Sequence, residues 1–134
     1  MTIRIWDADT GNGVGKPLQG HTSYVQSVAC SPNGRHIISR SHDKTIQIWG
    51  AGIGATVMRA LKGHTGGIQS IAYSPTGQCI TSGSDDGTIR IWNAGTGAAI
   101  GGPLNGHTSI VNSIAYSPNG QHITSGSSDD TIRI

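Results

Sequence analysis

Serine, histidine and aspartate recur together three times along this chain. The sets are His21, Ser39 and Asp43; His64, Ser82 and Asp86; and His107, Ser125 and Asp129, each 43 residues after the last. In acyl-transfer enzymes such a trio supplies a nucleophile, its base and the group that orients the base. Nothing in the sequence offers an oxyanion hole to go with it. A second pattern invites a metal. His36 and His122 take equivalent positions at the start of a predicted strand, where the middle unit has Cys79. These three lie on different units and cannot converge on one ion, so strand packing is the better reading and no metal or cofactor is expected.

The elements that must position these residues form an internal repeat. Trp6, Trp49 and Trp92 are spaced by 43 residues, as are Gly20-His21, Gly63-His64 and Gly106-His107. Leu18, Leu61 and Leu104 keep the same step, and so do the Ser-Pro pairs at Ser31, Ser74 and Ser117. Residues 63–91 and 106–134 are identical at 21 of 29 positions. Within a unit the period is two: Ile89 and Ile91 face one way, Thr88, Arg90 and Trp92 the other. Strands are predicted over Ile68 to Tyr73 and Cys79 to Ser82, separated by the tight turn Ser74-Pro75-Thr76-Gly77. The Asp85-Asp86-Gly87 turn leads into the Trp strand, and a weaker fourth strand is placed near Ile100 to Leu104. Four short antiparallel strands per unit make one propeller blade.

Composition agrees with an all-β chain. Gly accounts for 21 of 134 residues, Glu is absent, and the apolar residues are mostly Ile and Val among Thr and Ser. A net charge of +2 with no basic cluster argues against nucleic acid as a partner. No stretch is apolar enough to span a membrane, and no secretory leader opens the chain. Cys30 and Cys79 are too few for a disulfide scaffold. Both are expected to be small buried hydrophobes in a reducing, intracellular and cytoplasmic setting.

The Gly-His near the start of each unit and the Trp near its end, with Trp6-Asp7 as the literal pair, resemble the WD40 repeat. Trp49-Gly50 and Trp92-Asn93 depart from that pair. The Gly101 to Thr108 stretch is similar to blades of large fungal and bacterial proteins that join WD repeats to a NACHT-type NTPase. The resemblance implies a structural tetrad in each blade, with His between Asp and Ser and a Trp N–H capping the line. The sets would be His21, Ser39, Asp43, Trp49 and His64, Ser82, Asp86, Trp92, with His107, Ser125 and Asp129 lacking a Trp of their own. Buried and fully satisfied, such a chain rigidifies a blade and does not catalyse.

The resemblance also implies that partners bind at the loop rims. The positions that vary between units fall there: Ser23-Tyr24, Gly66-Gly67 and Ser109-Ile110 before the first strand; His42, Asp85 and Ser128 before the tetrad Asp; Lys44, Gly87 and Asp130 after it. Tyr24 and Ile110 are expected as exposed apolar anchors. Arg40 replaces the Gly found at Gly83 and Gly126, so it must reach solvent at the rim or disturb its blade.

In blade terms the chain divides into a partial blade (1–20), complete blades (about 21–62 and 63–105) and a further partial blade (106–134). Three units cannot close a ring, and raw sheet edges invite pairing. The expected solution is a head-to-tail homodimer, about six blades in all, with Trp6 of one copy completing the His107, Ser125 and Asp129 set of the other. Thr131 to Ile134 repeats Thr2 to Ile5, so one copy of that strand would be displaced. The function expected is a protein-interaction scaffold. The alternatives are a small-ligand or glycan-binding propeller, which would need equivalent aromatic and amide positions on every blade, and a fragment of a larger propeller with no function of its own.

Overall fold

A computed structural model of the chain describes residues 1–52 and 57–134. The described secondary structure is entirely strand and turn. Twelve strands run in order: β1 (Thr2–Trp6), β2 (Gly13–Gln19), β3 (Val25–Cys30), β4 (His36–Ser41), β5 (Ile46–Gly50), β6 (Val57–Leu61), β7 (Ile68–Tyr73), β8 (Cys79–Ser84), β9 (Ile89–Asn93), β10 (Val111–Tyr116), β11 (Ile123–Ser127) and β12 (Ile132–Arg133). They form four antiparallel sheets, β1-β2, β3-β4-β5-β6, β7-β8-β9 and β10-β11-β12, each meandering in chain order.

Among the described residues only the β3–β6 sheet carries four full strands. In the next unit the weak fourth strand shrinks to two isolated bridges, Ile89 with Leu104 and Trp92 with Ala99. The local sequence explains this. Gly101 adopts φ +71°, and Pro103 has no N–H to give to a ladder.

The sheets stack face to face, so both faces of β4 and β5 are covered. Trp49 packs with Ile3, Leu18 and Ile37 toward the preceding unit. Ile46 and Ile48, on the other face of β5, pack with Ile68, Ile80 and Trp92 of the next. Ile89 in turn meets Val111 and Ile114. The alternation read from sequence therefore separates two buried faces rather than an inside from an outside.

Polar contacts also cross between sheets. The Ile114 N–H donates to Ser70 Oγ at 3.0 Å, and Arg59 Nη1 donates to the Thr96 carbonyl at 2.7 Å. The cysteines depart from expectation: Cys30 is exposed and Cys79 half-buried. Cys30 ends β3, a strand whose alternate residues are exposed, so its thiol falls on the uncovered face.

Candidate functional site

Each His-Ser-Asp set sits at the same end of its sheet. In the first complete blade, the connection into β3 carries His21 over β4 and the β4–β5 turn. His21 Nδ1 lies 2.7 Å from Asp43 Oδ2, and its Nε2 lies 2.7 Å from Ser39 Oγ. Trp49 Nε1 donates to the same Ser39 Oγ at 2.8 Å. The middle unit repeats the line, with His64 to Asp86 and to Ser82 both 2.8 Å and Trp92 to Ser82 2.9 Å. His107, Asp129 and Ser125 keep the first two links at 2.9 and 2.8 Å. Among the described residues no indole reaches Ser125. Trp6 stands 59% exposed in β1.

Each group in the complete lines has one role. The indole N–H donates to the serine oxygen, the serine O–H to Nε2, and Nδ1–H to the carboxylate. In the middle unit this favours a neutral His64 imidazole. A proton on Nε2 would place two donors on a hydroxyl that has no good acceptor left; the nearest, the Arg90 carbonyl, is 3.5 Å from Ser82 Oγ. Burial accordingly pushes the His64 pKa below its ordinary value, against the opposing pull of Asp86.

Burial alone would raise the Asp43 and Asp86 carboxyls. The neighbouring threonine hydroxyl, the His and the backbone donors outweigh it and hold both below the usual carboxylate range. At Asp129 the Thr131 hydroxyl leads the same effect. Each carboxylate also organises the turn around it. Asp86 accepts from the Thr65 N–H at 2.9 Å, the Thr88 N–H at 2.9 Å and the Thr88 hydroxyl at 2.6 Å.

The trio has triad-like distances but not triad access. Ser39 and Ser82 are 0% exposed, and each hydroxyl oxygen already receives an indole N–H. No substrate carbonyl reaches such an oxygen. No group of three or more metal-capable side chains gathers among the described residues. No helix there is long and apolar enough to cross a membrane.

The variable rim positions pair across one end of each sheet. The His42 N–H donates to the Tyr24 carbonyl at 3.1 Å, Asp85 to Gly67 at 2.9 Å, and Ser128 to Ile110 at 2.9 Å. Tyr24 is 68% exposed. Ile110, expected to stand out likewise, is only half-exposed. The turn of the preceding unit lies beside its connection, with Gly87 close against the Ser109 carbonyl.

Arg40 is half-buried and bridges two sheets. Its Nη1 crosses to the neighbouring sheet and donates to the Ile68 carbonyl at 2.8 Å, while also meeting Gln26. Burial pushes its pKa down.

The sequence reading missed two sets of partners. Thr45, Thr88 and Thr131, two residues after each tetrad Asp, bond its carboxylate. Gln26, Gln69 and Asn112 sit where each inner strand bulges. The bulge aims each amide at the variable turn residue: Gln26 at His42, Gln69 at Asp85 (2.7 Å) and Asn112 at Ser128 (2.7 Å). The signal was available, since both sets keep the 43-residue step.

Sheets of this size, stacked in chain order and pinned in three of the four by a His-Ser-Asp line, define a repeat protein of β-propeller blades. The sequence model of the WD domain, G-beta repeat (WD40) matches residues 13–50, 55–93 and 100–134, and the chain belongs to that family. Curated relatives include nuclear distribution protein PAC1 of Arthroderma benhamiae, 46% identical over 44 residues, covering 33% of this chain and 9% of that protein. PAC1 of Coccidioides posadasii is 49% identical over 43 residues, 32% of this chain and 9% of the relative. Each match is thus about one repeat long.

Proposed function

We propose that this chain is a non-catalytic protein-interaction scaffold that works inside the cell, in the cytoplasm, through the rim carrying Tyr24, Arg40, His42, Asp85, Ile110 and Ser128. One observation carries the reading. The residues able to do chemistry are consumed in holding each blade, while the residues that differ between repeats gather at one end of the sheets. An exposed tyrosine there is the kind of anchor that interfaces favour. The names of the relatives concern nuclear distribution; matches of one repeat support the scaffold class and no particular partner. Capture of proteins from a cell extract by the chain, with Tyr24→Ala and His42→Ala as comparisons, tests the reading. A bound protein lost in the rim variants supports it, and binding indifferent to both would refute a rim site.

The finer part of the proposal is self-assembly into a closed ring, a homodimer being the favoured form. Its support is the complementarity of an exposed Trp6 indole and a Ser125 hydroxyl that no described indole meets. Light scattering should give twice the chain mass, and Trp6→Ala should return the monomer. A wild-type monomer at high concentration would remove this part and leave the scaffold reading standing.

A further inference from the structure

Three positions where the first complete blade departs from the repeat line one cleft. It lies in the corner between β5–β6 and the connection from β2 into β3, holds about 470 Å³, and is lined by Gly20, Thr22, Asp43, Lys44, Gln47 and Lys62 among others. The residue two before Trp49 is Gln47, where the other units have arginine at the same repeat position, Arg4, Arg90 and Arg133. In the middle unit Arg90 fills the corresponding corner: its Nη1 would stand 3.2 Å from a Cβ placed on Gly63. Arg133 lies likewise against Gly106, at 3.1 Å. Gln47 is shorter and neutral, and in its blade the corner stays open.

The other two departures add charge. Lys44 stands where the other units have Gly87 and Asp130, and Lys62 where they have Gln19 and Asn105. These are two of the three lysines in the chain, and both are exposed. Gln47 is 7% exposed, yet its Oε1 has no hydrogen-bond partner among the described residues. A buried amide oxygen left unpaired is costly, and a ligand donor would satisfy it. The one carboxylate in the cleft, Asp43, is already occupied by His21, Thr22 and Thr45.

We propose that this cleft binds a phosphomonoester whose carrier presents an N–H or O–H donor. The phosphate would lie at Lys44 and Lys62, and the donor would bond Gln47 Oε1. Two ammonium groups suit a tetrahedral dianion as point charges. The site is not repeated around the array, and although Lys44 follows His42 in the rim turn, none of the six proposed protein-binding residues lines it, so its failure would leave that reading untouched.

The test uses the full chain labelled for NMR. The probes are acetyl-Gly-phosphoserine-Gly-amide and glucose 6-phosphate, with the unphosphorylated peptide, its aspartyl counterpart, glucose and inorganic phosphate as comparisons. At least one phosphorylated probe should shift the Gln47 side-chain amide and the Lys44 and Lys62 backbone signals, and the stronger of the two identifies the carrier as peptide or sugar. Lys44→Ala and Lys62→Gln should each weaken binding by about fivefold or more, and added salt should weaken it further. Gln47→Arg restores the residue of the other units and should abolish binding with no loss of thermal stability. The proposal is overturned if neither phosphorylated probe shifts these signals at millimolar concentration. Equal binding of inorganic phosphate or the aspartyl peptide, or binding that survives Gln47→Arg, overturns it too.

Discussion

Replacing Ser82 with alanine removes one oxygen and strands two buried groups. That oxygen accepts from Trp92 Nε1 at 2.9 Å and donates to His64 Nε2 at 2.8 Å. Trp92 is 3% and His64 7% exposed, so water does not readily replace the lost partner. A buried polar group left unpaired costs about 1–3 kcal/mol, which puts Ser82→Ala, with two such groups, at about 2–6 kcal/mol. That is a large part of the ~5–15 kcal/mol holding a typical domain. Ser125→Ala strands only His107 Nε2, because no described indole meets Ser125, and should cost about 1–3 kcal/mol. Urea unfolding followed by tryptophan fluorescence reads both, as a lower midpoint at unchanged slope. If Ser82→Ala fell within about 0.5 kcal/mol of the parent, or cost no more than Ser125→Ala, the argument that these lines are structural would fail.

Three further perturbations have definite signs. Tyr116 OH meets Thr81 Oγ1 at 2.5 Å, whereas the Tyr73 hydroxyl is buried without a partner because Ile38 stands where Thr81 stands in the next sheet. In thermal melts Tyr116→Phe should therefore cost about 1 kcal/mol, while Tyr73→Phe should be neutral or stabilising; equal losses would refute this. The neutral His64 contributes stability that is whole above pH 6.5 and shrinks as the pH falls below it, because the unfolded chain takes up the proton more readily. The advantage of the parent over His64→Asn in urea melts should accordingly narrow between about pH 7 and pH 5, and a constant gap would contradict the assignment. Lys44 holds φ +68° in the hairpin turn where the next unit has Gly87 at +76°. Relief of about 1–2 kcal/mol of left-handed strain outweighs the added freedom of glycine in the unfolded chain, so Lys44→Gly should raise the melting temperature and Gly87→Ala lower it.

The repeat made the architecture legible from residue types alone. Trp, Gly-His and Ser-Pro at one step placed the strands, and the period of two placed their faces. What the sequence did not carry was how sheets meet. Cys30 looked buried because it ends a strand of small and apolar residues, but burial there depends on whether a neighbouring sheet covers that face. Ile110 looked like a rim anchor beside Tyr24, yet the turn at Gly87 lies beside its connection. The bulges at Gln26, Gln69 and Asn112 were invisible because a bulge is a property of pairing between two strands, not of either strand's pattern.

Arg40 shows that equivalent positions in this array are not interchangeable, and the point can be tested. At Gly83 a Cβ would lie 2.6 Å from Val111 Cγ1 and 3.0 Å from Ile114 Cδ1, inside the apolar seam between two sheets. At Arg40 the same register position opens toward Ile68, whose carbonyl takes the guanidinium. Both sites face the same position of the next sheet, Ile68 in one case and Val111 in the other, but at Gly83 the side chains of Val111 and Ile114 close over it. Gly83→Arg should therefore overpack the seam, costing the ~1–3 kcal/mol of added core volume. Arg40→Gly, in contrast, should cost only the lost bond between sheets, about 1 kcal/mol. Urea midpoints for the two variants decide the matter. If Gly83→Arg were as stable as the parent, the seam would be looser than the packing of Val111 and Ile114 indicates, and the reading of Arg40 as a specific bridge would lose its basis.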